Sequence, residues 1–332
     1  MLTAIENLKE TMKRDGHPDR FVNQYEFLHL LMPDMYYMGN HATTPGSESI
    51  DQYGVFWRFQ EGQMGAFPVH DEQHKVIKDI CEWDKVLTHI PVAPDAPEFW
   101  GMLNGIAAQA VPGQQYVTAV AVQGIFERLH ALMGMEDAMI ALYEEPEKVH
   151  ELIDFITEAE LDFAKNIMDH VPSVKALFHH DDWGSGTNSF LSPAMFDEFI
   201  TPAYKKVYGY WKERGVELVV HHSDSYAANL VPSMIEMGVD IWQGAVPEND
   251  IPKLVEQYAG QITFMGEIRT LAIDIPDVTH EQIAAEVERA CRKCKGPSFI
   301  PCLTAGLPIS HFGNTYEQVS AEIDRMSKEM FP

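Results

Sequence analysis

The chain has 332 residues, 45% of them hydrophobic and 22% charged, with a formal net charge of −26. A field of that sign repels nucleic-acid phosphates and anionic membrane surfaces, so neither is an expected partner, and a polyanionic small molecule needs a local cluster of Arg and Lys to bind. No run approaches the roughly 18 consecutive apolar residues of a membrane span, and four cysteines behind a start (Met1 to Arg14) that reads as a charged amphipathic helix rather than a signal peptide fit a cytoplasmic protein.

In chain order, residues 1–115 are irregular. Amphipathic helices are expected at 2–14 and 22–32, a short strand at Tyr53 to Phe59, and helices near 73–81 and 98–109. Pro45-Gly46, Pro91, Pro94, Pro97 and Pro112-Gly113 punctuate loops folded over something. From Tyr116 the rhythm becomes strand then helix. Tyr116 to Val122 is β-rich, Gly124 opens a helix through Met133, and a long helix spans Pro146 to His170 with Val149, Ile153, Ile156 and Phe163 at helical spacing. A strand at 174–178 follows, then a helix started by Ser192-Pro193 and running to about Arg214. A strand at 216–220 precedes a helix from Ala227 to Met237. Short strands at Val239 to Gln243, Ile262 to Met265 and Ser298 to Pro301 alternate with helices at 251–259, 279–293 and 315–329. Such alternation implies a parallel sheet, closed as a barrel or left as an open α/β layer. The barrel is preferred: one domain over 1–332, with 1–115 as an N-terminal helical elaboration and the first barrel elements.

Two echoes, His179-His180-Asp181-Asp182 and His221-His222-Ser223-Asp224, end consecutive strands, and their second histidines are 42 residues apart, about one strand–helix unit. In a parallel barrel such strand ends converge on one mouth. Gln123, both clusters, Gln243, Glu267 with Arg269, and Cys302 are therefore expected there. Imidazole, carboxylate and thiolate are a zinc-ligand vocabulary. His222 and Asp224, two apart, form a feasible chelating pair, and Cys302 can supply a third ligand. His221 is expected to alternate to the helix-facing side. Asp181 and Asp182 suit general acid/base work or the orientation of a ligating histidine. Glu267 is a candidate ligand or proton-transfer group, or a partner of Arg269. Trp57, Phe59, Trp100, Trp183, Phe190 and Trp242 are candidates for an apolar pocket, with Trp57, His180, Trp183 and Gln243 the substrate-binding candidates. Cys291-x-x-Cys294 lacks a second such pair and reads as two surface or half-buried cysteines.

Asp181-Asp182-Trp183-Gly184, followed by Ser192-Pro193 and Phe199-Ile200-Thr201-Pro202-Ala203-Tyr204-Lys205, resembles the uroporphyrinogen decarboxylase superfamily, as does His222-Ser223-Asp224 followed by Leu230 and Met237-Gly238-Val239-Asp240. Asp51, Gly54, Val55 and Trp57 resemble an earlier element of the group. The resemblance implies a (β/α)8 TIM-type barrel and one of two chemistries: cofactor-free decarboxylation of a porphyrinogen, or zinc-dependent methyl transfer between a corrinoid protein and a thiol, amine or ether substrate. The methyltransferase branch carries an H-x-C and a distant Cys as zinc ligands. His222 matches its histidine, Asp224 takes the place of its first cysteine, and Cys302 is the match to the second. The decarboxylase branch carries an Arg-rich R-Q-A-G-R segment that grips propionates. Here Phe21-Val22-Asn23-Gln24-Tyr25-Glu26 stands in that region. An octacarboxylate needs local positive charge that this segment does not supply, so the methyltransferase branch is favoured. Cobalamin is then expected only through a partner corrinoid protein. A protein that binds a corrinoid or small aromatic without turnover is the non-catalytic alternative.

Overall fold

The computed structural model describes residues 1–33, 42–63, 65–89, 93 and 96–331; Pro91 and Pro94 lie outside the described residues. The strands are β1 (Leu28–Leu31), β2 (Glu48–Ile50), β3 (Phe56–Arg58), β4 (Phe67–Pro68), β5 (Tyr116–Ala121), β6 (Ala176–His180), β7 (Leu218–His222), β8 (Ile241–Ala245), β9 (Thr263–Ile268) and β10 (Phe299–Leu303). The helices before the barrel's repeating part are α1 (Ala4–Met12), α2 (Trp83–Val86) and α3 (Pro97–Ala107). Next come α4 (Ile125–Met133), α5 (Met135–Glu144), α6 (Pro146–His170), α7 (Pro193–Phe199), α8 (Thr201–Glu213) and α9 (Val231–Met237). The last are α10 (Ile251–Tyr258), α11 (Thr270–Ile273), α12 (His280–Lys293) and α13 (Thr315–Met330).

Seven parallel strands, β1-β5-β6-β7-β8-β9-β10, form one curled sheet of TIM-barrel type, and β2-β3-β4 form a small antiparallel sheet. Among the described residues no ladder joins β1 to β10. Gln24 bridges that seam instead, its Oε1 accepting Leu303 N–H at 3.3 Å and its Nε2 donating to Ser320 Oγ at 2.8 Å on α13. Side chains alternate along each strand. Val120, Phe178, Val220, Ile241, Met265, Ile300 and Cys302 fill the barrel interior, while Leu177, Val219, Trp242 and Phe264 pack under the helices. This two-sided burial explains the near-continuous apolar strands.

Four expectations need correction. Residues 22–32 form a turn and β1 rather than a helix, because Gln24 takes a left-handed backbone (φ 49°) and Leu28–Leu31 finds a parallel partner in β5. Residues 73–81 are turns with one 3-10 segment: the Asp71 carboxylate accepts from Gln73 and His74 N–H and Asp79 from Cys81 N–H, competing with helical bonding. The helix from Ser192 breaks into α7 and α8 at Ile200–Pro202, where proline cannot continue the hydrogen-bond ladder. Finally, β6, β7 and β8 begin and end two residues later than expected, so both histidine pairs are strand residues. The register sets His179 opposite His221 and His180 opposite His222.

Candidate active site and metal centre

His180 and His222 alternate inward, whereas His179 and His221 face the helices, as the period of two requires. His221 is packed as expected: it stacks on Trp183 at 3.8 Å between centroids, and its Nδ1 accepts from Tyr208 Oη at 2.7 Å. Burial pushes its imidazole well below its usual pKa. Above the inward pair opens a cavity of about 660 Å³ lined by Trp57, Phe67, Val122, Gln123, Glu127, His130, Phe178, His180, Asp182, His222, Asp224, Gly306, Leu307, Ile309 and His311, among others.

Within it, one ligand atom each from His180, Asp182 and His222 lies within 4.8 Å of the other two. His180 Nε2 is 3.5 Å from both Asp182 Oδ2 and Glu127 Oε1. Burial works against the His180 imidazolium, but the Glu127 and Asp182 carboxylates outweigh it and raise its pKa well above the usual value. Burial likewise opposes the charge on Asp182, and His180 outweighs it, holding the carboxyl below its usual range. His180 and Asp182 thus face each other as an imidazolium–carboxylate pair whose proton a cation would displace. Burial, reinforced by the His180 charge, lowers His222 to about 4, which leaves it neutral.

Gln243 decides which nitrogen of His222 is free. Its Nε2 donates to Leu303 O at 3.1 Å and Ala305 O at 3.3 Å, so Oε1 must face His222 Nδ1, which therefore carries the proton. His222 Nε2 keeps its lone pair. Gly306 lies over the same ring, and a Cβ there would come within 3.2 Å of Nε2, a tight approach that glycine avoids. Two imidazoles, a carboxylate and this cradle fit a divalent cation such as zinc.

The remaining candidates divide clearly. Asp224 lines the cavity and its N–H donates to Asp182 Oδ1 at 3.0 Å, but its carboxylate is outside the three-ligand group. Desolvation, then the Asp182 charge, pushes Asp224 up to about 7. Cys302 is fully buried in the barrel interior behind Gln243, whose Nε2 is 3.9 Å from its Sγ, and it does not join the group either. An inward position one layer below the mouth explains this. Asp181 turns away from the cavity. Its carboxylate accepts Phe126 N–H at 2.9 Å, Glu127 N–H at 2.8 Å, Tyr204 Oη at 2.6 Å and Trp183 Nε1 at 3.0 Å, and burial raises it to about 7. Trp183 packs behind the strand rather than in the cavity, and Gln243 orients His222 rather than lining the pocket. Glu267, with φ 70°, faces α12, pairing with Arg289 at 2.6 Å and Lys293 at 2.8 Å. Arg269 pairs instead with Glu286. Cys291 and Cys294 are buried, not surface residues.

Of the aromatic candidates, Trp57 lines the cavity, held by Nε1–H to Asp51 Oδ2 at 3.1 Å. Trp100 stacks on His170 and Phe190 on Phe126, both away from it. Sequence reading missed Glu127, His130 and His311. Glu127 looks like an acid placed to suit the first turn of α4, and His130 follows it at i+3; only that spacing after Gly124 hinted at a cavity-facing stripe. Gln123 Oε1 and His130 Nδ1 are buried there with no hydrogen-bond partner among the described residues, and His180 Nε2 has the two 3.5 Å ion pairs but no closer hydrogen bond.

Residues 75–324 match the family described as uroporphyrinogen decarboxylase (URO-D), and the chain belongs to that family. No curated protein sequence matches it. Among solved structures, a methyltransferase from Methanosarcina mazei superposes with a TM-score of 0.61 at 14% identity, covering 82% of this chain and 76% of the other. At that identity the likeness is one of fold. A Listeria monocytogenes structure designated a vitamin-B12 independent methionine synthase gives a TM-score of 0.41 at 10% identity over 74% of this chain and 72% of the other. No helix among the described residues is long and apolar enough to cross a membrane.

Proposed function

We propose that this chain is a zinc-dependent methyltransferase that moves a methyl group between a small thiol, ether or amine substrate and a corrinoid protein. The observation that carries the reading is the His180–Asp182–His222 group at the cavity floor, with His222 Nε2 kept free by Gln243. His180 and Asp182 stand where Asp224 and Cys302 were expected to complete the ligand set. Family membership and the fold shared with a methyltransferase support the same class of chemistry.

His180, Asp182 and His222 would hold the zinc, which would supply Lewis acidity toward a substrate heteroatom. The chain's own groups do the rest. Gln243 fixes the tautomer of His222, Glu127 and Asp182 hold His180 in place, and Trp57 and Phe178 supply apolar lining for a substrate methyl group. The cavity's composition argues against the family's decarboxylation. Among the described residues no Lys or Arg lines it, whereas Glu127, Asp182 and Asp224 do, so an octacarboxylate would meet repulsion.

Metal analysis of purified protein tests this directly. About one zinc per chain is expected, lost in His222→Ala and Asp182→Ala and retained in Cys302→Ser. Methyl transfer to reduced corrinoid should follow the zinc content. Wild-type protein that binds no zinc, or that turns over uroporphyrinogen without metal, would defeat the reading.

A further inference from the structure

One histidine at the cavity is wired differently from the others. His311, on the loop after β10, lines the cavity, and its Nδ1 lies 3.1 Å from Asp274 Oδ2, a carboxylate whose side chain is wholly buried. The same carboxylate accepts the backbone N–H of His311 at 2.7 Å and of Phe312 at 3.0 Å, so ring and loop share one anchor. His222 faces the same cavity but turns its Nδ1 to a neutral amide. The amide oxygen fixes which nitrogen of His222 is free to offer a lone pair, whereas the anchored carboxylate fixes His311 through Nδ1 and leaves Nε2 as the nitrogen available to exchange a proton. His130, also at the cavity, has no hydrogen-bond partner on Nδ1 among the described residues.

We propose that His311 is the proton-transfer residue of the methyl transfer, with Asp274 its positioning residue; this rests on the methyltransferase reading above. When a methyl ether is the donor, the C–O bond breaks and the methyl carbon bonds to the acceptor through the acceptor's electron pair. The electrons of the broken bond stay on oxygen, which takes the proton from His311 Nε2. The imidazole is left neutral, with Nδ1–H still on Asp274, and regains its proton from solvent. In the opposite direction, Nε2 takes the proton of an attacking thiol or hydroxyl.

The test uses zinc-loaded full-length protein, cob(I)alamin as methyl acceptor and a series of para-substituted methyl phenyl ethers. In His311→Gln the rate should fall on the order of 10²-fold for ethers with the most basic leaving phenolate, and little for the 4-nitrophenyl ether, with zinc content unchanged. Asp274→Asn should show the same dependence on leaving group with a smaller loss. Nitrogen-15 NMR of the His311 ring supplies a readout free of turnover: Nδ1 is expected to be protonated in the wild type. A bare Nδ1, or a loss equal for all ethers, overturns the role of His311 and leaves methyl transfer standing. Wild-type protein that demethylates no ether, thioether or amine overturns the functional reading, and this role with it.

Discussion

At His222 the reactive nitrogen is chosen by a residue that need never meet substrate. Because the Gln243 amide spends both hydrogens on the Leu303 and Ala305 carbonyls, its oxygen has one remaining task, to accept from His222 Nδ1. Gln243→Leu removes that choice and lets the ring turn or change tautomer. Zinc affinity should then drop roughly 10–100-fold, the usual loss when a ligand's hydrogen-bonding partner is removed, read by competition with a chromogenic chelator. Cys302→Ser, beside the same amide but outside the ligand group, should leave the affinity unchanged. Equal affinities in wild type and Gln243→Leu would remove Gln243 from the site. The two neighbouring aspartates separate in the same manner. Asp182 faces the cavity, while Asp181 is consumed by four donors below it.

Those four donors make Asp181 a clamp between the end of β6 and the start of α4, where it also meets the positive end of the helix. Asp181→Ala strands two backbone N–H groups, a phenol and an indole N–H in a dry interior. A loss of about 3–5 kcal/mol is expected in urea unfolding, against about 1 kcal/mol or less for Asp182→Ala; similar costs for both would contradict the assignment. A second clamp joins β9 to α12. Burial would raise the Glu286 carboxyl, but hydrogen bonds from Arg289 and Arg269 outweigh it and hold it at about 2, below its ordinary 4.5. Since the folded value is the lower one, the stabilisation is present above about pH 4.5 and is lost as pH falls toward 2. Glu286→Gln should therefore be less stable than wild type at pH 7, with the two converging below about pH 2; a gap that persists in acid would mean packing rather than charge. At this scale the sequence showed the strand–helix alternation and the two histidine echoes correctly, because period-2 and period-3.6 patterns are local. It misplaced β6, β7 and β8 by two residues because strands buried on both faces lose the alternation that marks their ends. The same loss hid Cys302's depth. The pairing of Asp274 with His311 depends on two loops that meet only after the sheet has curled, so no spacing announces it.

Across the whole molecule, 50 acidic residues face 24 basic ones, and most basic side chains are already spent in pairs such as Arg289–Glu267, Lys75–Asp137 and Arg214–Asp169. The surplus is therefore a diffuse negative field acting against a compact state. Added salt screens this field over a Debye length of about 10 Å at 0.1 M. It also weakens the exposed ion pairs, but each of those contributes only about 0–1 kcal/mol, whereas the net repulsion is summed over every uncompensated carboxylate. The melting temperature should therefore rise by about 2–5 °C between 10 mM and 300 mM sodium chloride at pH 7.5. Sodium chloride is the proper salt, because sulfate would raise stability by surface exclusion regardless of charge. The rise should shrink at pH 5, where partial protonation of the carboxylates reduces the surplus. A melting temperature that stays flat or falls with salt at pH 7.5 would mean that the local ion pairs, and not the overall charge, dominate the electrostatics of this fold.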